Sequence, residues 1–227
     1  MAVGAGLFWA GTIAWNSQAL HLENVRVVGS DRSRISDAEI ILAGGLIKGR
    51  HLLKISTGKA EQRIEKIPWV ARASIRRVLP STVEVSITNR VPALVLVFAG
   101  QSFLADAGGA VIAPGEARLP RITDLPGATP APGTRITDPA FGHCRRILDA
   151  LQAPVKSRLT SVRAPSIDRI TLVLEDGTEI LYGAAEKLDD KNFAIRTLLG
   201  KHHAAGQTIA ALDVRVPTRA AVRLRQP

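Results

Sequence analysis

The residues best equipped for chemistry in this 227-residue chain are one cysteine, Cys144, an adjacent histidine pair, His202 and His203, and an adjacent acidic pair, Asp189 and Asp190. A thiolate could serve as a nucleophile, two imidazoles could ligate zinc, and two carboxylates could divide acid and base duties. Their spacing argues against each. Neighbouring residues on a helix point about 100° apart, so His202 and His203 diverge, with no third ligand close in sequence. Asp189 and Asp190 diverge for the same reason and read as a solvated acidic helix face. Cys144 falls in the helical row Phe141, Cys144, Ile147, Leu148, Leu151, which marks it as a small core residue. A single cysteine also excludes an internal disulfide and any cysteine-based zinc cluster. There is no Gly-x-Ser-x-Gly elbow, phosphate loop, His-Glu-x-x-His or dinucleotide fingerprint. The residues therefore give no catalytic site, no cofactor and no metal.

Composition narrows the classes further. Hydrophobic residues make up 46% and charged residues 22%, which is ordinary globular usage rather than a disordered chain. Thirty Lys and Arg against twenty Asp and Glu give +10, which raises the question of nucleic acid. The excess is spread, +6 over residues 23–90 and +4 over residues 91–227, so no single face is picked out. Nine aromatic residues are too few for a stacking platform, and zinc-finger spacing is absent. Nucleic-acid binding is not expected.

A binding role needs only exposed surface with unpaired backbone, and a strand at the end of the chain can supply it. Residues 220–224 read as such a strand: Ala220, Val222 and Leu224 share one face, Ala221 faces the other way, and Arg223 and Arg225 could meet acidic partner residues. Everything turns on whether that strand has a neighbour on its second side.

The elements that must position it follow from periodicity. Val25, Val27 and Val28 form a short strand ending at Gly29-Ser30. Ser36 and Glu39 have capping-box spacing for a two-turn helix stopped by Gly44-Gly45. Thr57 caps a second helix through Lys66, ended by Pro68. From Val70 the period becomes two, with Ala71, Ala73 and Ile75 on the buried face, a turn at residues 79–82, and Val83, Val85 and Ile87 returning. Beyond Asn89, strands are expected at residues 91–98, 103–104 and 111–112. Residues 114–139 hold six of thirteen prolines and read as an irregular covering loop. Asp138-Pro139 starts a third helix, residues 170–174 and 178–181 form a hairpin through Asp176-Gly177, and a fourth helix spans residues 185–201. A closing hairpin runs over residues 209–216 and 220–225. The fold class is α+β. A domain over residues 23–90, a three-stranded sheet with two helices on one face, precedes a mainly antiparallel β domain with two helices over residues 91–227.

Residues 1–22 carry no formal charge, and Val3, Leu7, Phe8, Trp9, Ile13 and Trp15 make the stretch membrane-like. Three readings compete: part of a signal anchor, a cleavable signal peptide, or a buried helix. With no basic n-region and no clear cleavage site before Glu23, a signal anchor whose cytoplasmic leader lies outside this sequence is favoured.

The run from Ile64 through Pro68-Trp69-Val70 to Ala73, continued by Arg76-Arg77-Val78-Leu79-Pro80, resembles the bacterial cell-division family FtsQ/DivIB, where such a run closes a POTRA domain. Val25 to Gly29 with Ile35-Ser36 is similar to the family's opening strand, Leu104 to Gly109 to its Asp-Gly turn, and Leu212-Asp213-Val214-Arg215 to its late strand. The resemblance covers nearly the whole chain. It implies one membrane span in the bacterial inner membrane, a periplasmic POTRA domain and β domain at the division septum, and a non-catalytic scaffold of the divisome. It further implies FtsB and FtsL as partners of the β domain, with other division proteins at the POTRA domain. Lys187, at the basic position of the family's helix start, and Arg215 are implied contacts; with Val216, Ala220, Ala221, Val222, Arg223 and Leu224 they make up the expected partner-binding set. Val216 departs from a position often aromatic in the family. The alternative is a POTRA-type adaptor or chaperone of outer-membrane assembly, using its POTRA edge strand on unfolded clients. A third class, a periplasmic hydrolase, would need a cleft with converging polar groups.

Overall fold

The computed structural model describes residues 20–225. Most of the stretch read as an anchor, residues 1–19, lies outside them. Among the described residues, no helix is long and apolar enough to cross a membrane. The chain divides into two compact units, the first ending at Arg90 and the second beginning at Val91.

In the first unit, β1 (Asn24–Val28) leads to α1 (Asp37–Gly44), a single 3-10 turn (Leu52–Lys54), α2 (Thr57–Ile64), β2 (Val70–Val78) and β3 (Thr82–Asn89). The Ser36 hydroxyl accepts from the Glu39 amide at 3.1 Å and so caps α1. Gly45 ends it in the left-handed conformation, φ +63°. Ser56, not Thr57, occupies the N-cap position of α2. Its end also comes earlier than Lys66, because the Lys66 and Ile67 amides bond to the carbonyls three residues back, tightening the chain before Pro68. Sheet order is β1-β3-β2, with β1 parallel and β2 antiparallel to β3. A register shift between Val70 and Arg72 turns Val70 inward and leaves Ala71 exposed, against the strict alternation expected. Gly29 has φ +81°, and a Cβ there would stand 2.5 Å from the Ile87 carbonyl oxygen, so the turn after β1 requires glycine.

Both flanks of β2 are occupied. On one side lies β3; on the other, α2 supplies two carboxylates. Glu61 accepts from the Ile75 amide at 2.7 Å and Glu65 from the Ala73 amide at 3.1 Å. Arg77 donates to the Leu52 and Ile55 carbonyls, closing the same side. The Pro68-Trp69-Val70 run is structural: Val70 is fully buried, Arg34 stacks over the Trp69 ring at 4.2 Å, and the Arg90 guanidinium donates to the Pro68 and Val70 carbonyls.

The second unit is one nine-stranded sheet in the order β12-β11-β10-β9-β8-β7-β4-β5-β6. Its strands are β4 (Leu94–Phe98), β5 (Gln101–Ala105), β6 (Val111–Pro114), β7 (Arg121–Thr123), β8 (Leu159–Arg163), β9 (Thr171–Leu174), β10 (Glu179–Leu181), β11 (Ile209–Asp213) and β12 (Ala221–Leu224). Most pairings are antiparallel; β4–β7, β7–β8 and β10–β11 are parallel. Helices α3 (Pro139–Ala150), a single turn α4 (Val155–Arg158) and α5 (Leu188–Ala204) complete it. Two strands differ from the sequence expectation. β7 lies inside the proline-rich stretch read as irregular, and β8 follows a turn for which no strand was expected.

The Asp106-Ala107-Gly108-Gly109 turn is built by the Asp106 carboxylate, which accepts from the Gly108 and Ala110 amides. Gly109 has φ +80°, and a Cβ there would meet the Phe141 ring at 2.5 Å; the turn packs directly on α3. Asp138 caps α3 through the Ala140 amide, with Pro139 as its first residue. Cys144 of α3 is fully buried between sheet and helices, and burial pushes its thiol up to about 12, so it stays protonated and packs as an apolar group.

Candidate partner-binding site

The last strand described is also the last strand of the sheet: among the described residues, β12 has β11 on one side and no strand on the other. Its register runs Asp213↔Ala221, Leu212↔Val222, Ala211↔Arg223 and Ile209↔Leu224. The Arg225 amide donates to the Thr208 carbonyl at 2.8 Å, which fixes the phase. Backbone groups alternate along a strand, so Ala221, Arg223 and Arg225 face β11, while the N–H and C=O groups of Val222 and Leu224 face outward. The open rim expected from the sequence is therefore two residues long at its centre.

Side chains alternate in the perpendicular direction. Ala220 and Val222 pack against the helix-covered core, Leu224 continues that row at 40% exposure, and Ala221 and Arg223 stand exposed on the other face. Arg225 reaches across to donate to the Asp176 carbonyl at 3.0 Å. Four members of the expected set lie outside the strand: Lys187, Arg215, Val216 and Ala220. Val216 begins the turn Pro217–Arg219 with its side chain 55% exposed, because the pairing of β11 ends at Asp213; Ala220 closes that turn.

Beside the turn that leads into β12, a groove of about 510 Å³ is lined by Asp190, Phe193, Ala194 and Leu198 of α5 and by Pro217 and Ala220. Phe193 is 64% exposed there. On this helix Ile195 is buried and Leu188, Leu198 and Leu199 pack partly buried against the core, whereas Phe193 lies off that row. Its signal was its phase: an aromatic off the buried row, in a chain with nine aromatics.

Lys187 and Arg215 sit differently. Lys187 is the exposed residue just before α5 and holds a left-handed conformation, φ +48°. That bend is held by groups behind it. The Lys191 side chain is 3% exposed and donates to the Tyr182 and Ala184 carbonyls, both at 2.8 Å, and burial lowers its pKa. The His143 ring nitrogen Nδ1 accepts from the Ala185 amide at 3.1 Å, and Asn192 ties α5 to the Ala150 carbonyl. Neither Lys191 nor His143 was singled out from the sequence, since a lysine on an apolar helix row gives no sign of which carbonyls it will find.

Arg215 is exposed but already engaged: its guanidinium grips the Asp213 carboxylate through Nε and Nη2. These hydrogen bonds hold the Asp213 carboxyl below the usual carboxylate range and raise Arg215 further. Arg215 lines a shallow recess of about 270 Å³ with Arg163, Asp168 and Gly183, away from the groove beside β12. The structure thus brings residues 220–224 together, and leaves Lys187 and Arg215 as separate flanking charges. Among the described residues, no group of three or more His, Cys, Asp or Glu is arranged to hold a metal. His202 pairs with Gln207 at 2.6 Å.

Two family models match the chain. One, described as POTRA domain, FtsQ-type, covers residues 20–90. The other, described as Cell division protein FtsQ/DivIB, C-terminal, covers residues 93–215, more than half of the chain. Proteins called Cell division protein FtsQ are similar to it throughout. The one from Corynebacterium glutamicum is 29% identical over 83% of this chain and 83% of its own length. The one from Mycolicibacterium smegmatis is 30% identical over 85% of this chain but only 59% of its own. That from Anaeromyxobacter is 28% identical over 98% of this chain and 78% of its own.

Proposed function

The chain belongs to the FtsQ/DivIB family of cell division proteins, and from that premise we propose that it is a non-catalytic, membrane-anchored scaffold of the divisome. It binds its partners by strand addition at β12. The observation that carries this reading is the open flank of β12, with the Val222 and Leu224 amides and carbonyls unoccupied by any neighbouring strand. A partner strand completes that row, its side chains alternating between the groove beside Phe193 and the exposed face of Ala221 and Arg223. Arg223 selects for acidic residues in the incoming segment, and Lys187 and Arg215 contribute charge at the flank.

FtsB and FtsL are the partners this reading assigns to β12, with other division proteins at the POTRA unit. The uncharged stretch within residues 1–22 serves as the inner-membrane anchor, leaving both folded units in the periplasm at the septum. The adaptor or chaperone alternative depends on a free POTRA edge, and at the β2 edge the Glu61 and Glu65 carboxylates count against it.

The test is Val222→Pro. It removes an outward donor while leaving the donors that face β11 in place. Binding of the FtsB–FtsL complex to the full chain is measured by pull-down and titration, with circular dichroism as the folding control. Lost binding in a folded variant supports the reading; undiminished binding overturns strand addition at β12.

A further inference from the structure

The geometry points to a second membrane contact in this protein: the loop between α1 and the 3-10 turn, carrying Ile47, Lys48 and Arg50, is a docking surface for an anionic phospholipid bilayer. The inference rests on the anchor reading of residues 1–22.

Three observations carry it. The first is connectivity. Leu22 is fully buried in the core of the first unit, its amide donates to the Arg50 carbonyl and its carbonyl accepts from the Gly49 amide, both at 2.8 Å. His21 is bridged to His51. Among the described residues, Leu22 at the end of the uncharged stretch is therefore stitched to this loop, and the Glu23 and Asn24 amides that follow donate to the Ser81 carbonyl of the β2–β3 turn. Two residues of extended chain span at most about 7 Å, and the polar layer on each side of a bilayer is roughly 5–8 Å deep. A span that ran to residue 20 would leave the loop among the headgroups, and one that left the apolar layer at Trp15 would still hold it within about 25 Å of them.

The second is what the loop displays. Ile47 is 64% exposed, and Leu42, on the last turn of the helix that feeds the loop, is 82% exposed. A lone exposed aliphatic residue is ordinary on a protein surface. Here it stands three residues before Arg50, on the segment that holds the chain at its entry to the fold.

The third is charge. Residues 42–54 contain Lys48, Arg50 and Lys54 and no acidic residue. All three bases are exposed, and among the described residues none of them takes part in an ion pair. Glu23, beside the loop, accepts from the Ser81 hydroxyl. An apolar side chain flanked by unpaired bases matches the boundary between acyl chains and phosphate: Ile47 enters the apolar margin, and lipid phosphate oxygens accept from Lys48 and Arg50. The contact fixes the tilt of the first unit, which a single anchor leaves free to swing.

The experiment places a nitroxide at Ile47→Cys in the full chain, with Ser33→Cys, beyond the opposite end of β1, as reference. Cys144 is fully buried and does not compete for the label. Each is reconstituted into vesicles of phosphatidylcholine with phosphatidylglycerol at 3:1, and into phosphatidylcholine alone. The accessibility ratio for oxygen over a water-soluble nickel chelate is read by power saturation. The expected result is a ratio several-fold higher at 47 than at 33 in the anionic vesicles, reduced in the neutral ones and by Lys48→Glu with Arg50→Glu. Equal ratios at 47 and 33, in protein that floats with the vesicles and resists alkaline extraction, overturn the docking surface and leave the anchor standing. Protein that fails to float overturns the anchor reading, and the docking surface falls with it.

Discussion

Each sheet has two edge strands, β1 and β2 in the first unit and β6 and β12 in the second, and β2 and β12 treat their outer flanks in opposite ways. In the first unit, β2 has its outer flank closed by Glu61, Glu65 and Arg77, so that amides at Ala73 and Ile75 already have charged acceptors. In the second, β12 keeps Val222 and Leu224 open, with only Arg223 and a terminal position as deterrents to promiscuous pairing. An unprotected edge is a liability unless a partner covers it, so the contrast separates a flank kept shut for stability from one kept open for use. The lesson is that edge position alone does not identify a docking strand; what matters is whether the fold's own side chains reach the outward amides.

The comparison can be broken in four places. The largest effect is expected from proline at adjacent phases of β12. Val222→Pro should weaken partner binding by up to about a hundredfold, the cost of leaving a partner acceptor unpaired, with only a small fall in melting temperature from the partly buried packing of Val222. Arg223→Pro should instead lower the melting temperature, because it deletes a donor to β11; equal behaviour of the two variants would disprove the assigned phase. Next, Glu61→Ala with Glu65→Ala strips the cover from β2. The unit should lose about 2–4 kcal/mol from two amides deprived of acceptors, read by denaturant unfolding, and its light scattering should become concentration-dependent as the flank opens.

A smaller effect is expected at Phe193→Ala. Truncating an exposed aromatic in the groove should cost the partner complex about tenfold in affinity, as a central anchor residue does, with no loss of stability measured by thermal melting. The smallest is a pH effect behind Lys187. Burial, with Arg146 beside it, holds the His143 imidazole below the usual histidine range, opposed in part by Glu186. The unfolded chain then takes up a proton that the folded one refuses, so stability rises with pH up to about 6.5 and declines on acidification below it. Unfolding midpoints at pH 7.5 and 5.5 should differ more for the native chain than for His143→Gln.

Much of this contrast was legible in the residues. The caps at Ser36 and Asp138 were readable because capping is local, and the pattern of residues 220–224 because period-two alternation at a chain end has few interpretations. The resemblance carried by Pro68-Trp69-Val70 and Leu212 to Arg215 was likewise sound. What escaped depended on distant partners. β7 spans three residues with only Ile122 buried, too short for any periodicity to register, and it exists because β4 and β8 hold it from both sides. β8 was hidden by a register shift between Leu159 and Ser161, which places its buried residues Leu159 and Val162 three apart instead of two. The same kind of shift misplaced Ala71. The closure of β2 was unreadable because a glutamate on a helix carries no mark of the amide it will meet, and the groove beside Phe193 takes shape only once α5 lies along the turn at residues 217–219.

The brevity of β7 has a mechanical meaning. Among the described residues, the strand pairing between the hairpins β4–β5–β6 and the block β8 to β12 runs through that strand alone, with two residues in register on one side and three on the other, while α3 and the shared core bridge the same two blocks. Tension applied to a partner zipped onto β12 is carried back toward Val91 by this narrow seam and by the packing of α3. Within the sheet the seam is the place to yield under a pulling force, a fuse backed by that packing, while the docking strand and its guest remain joined.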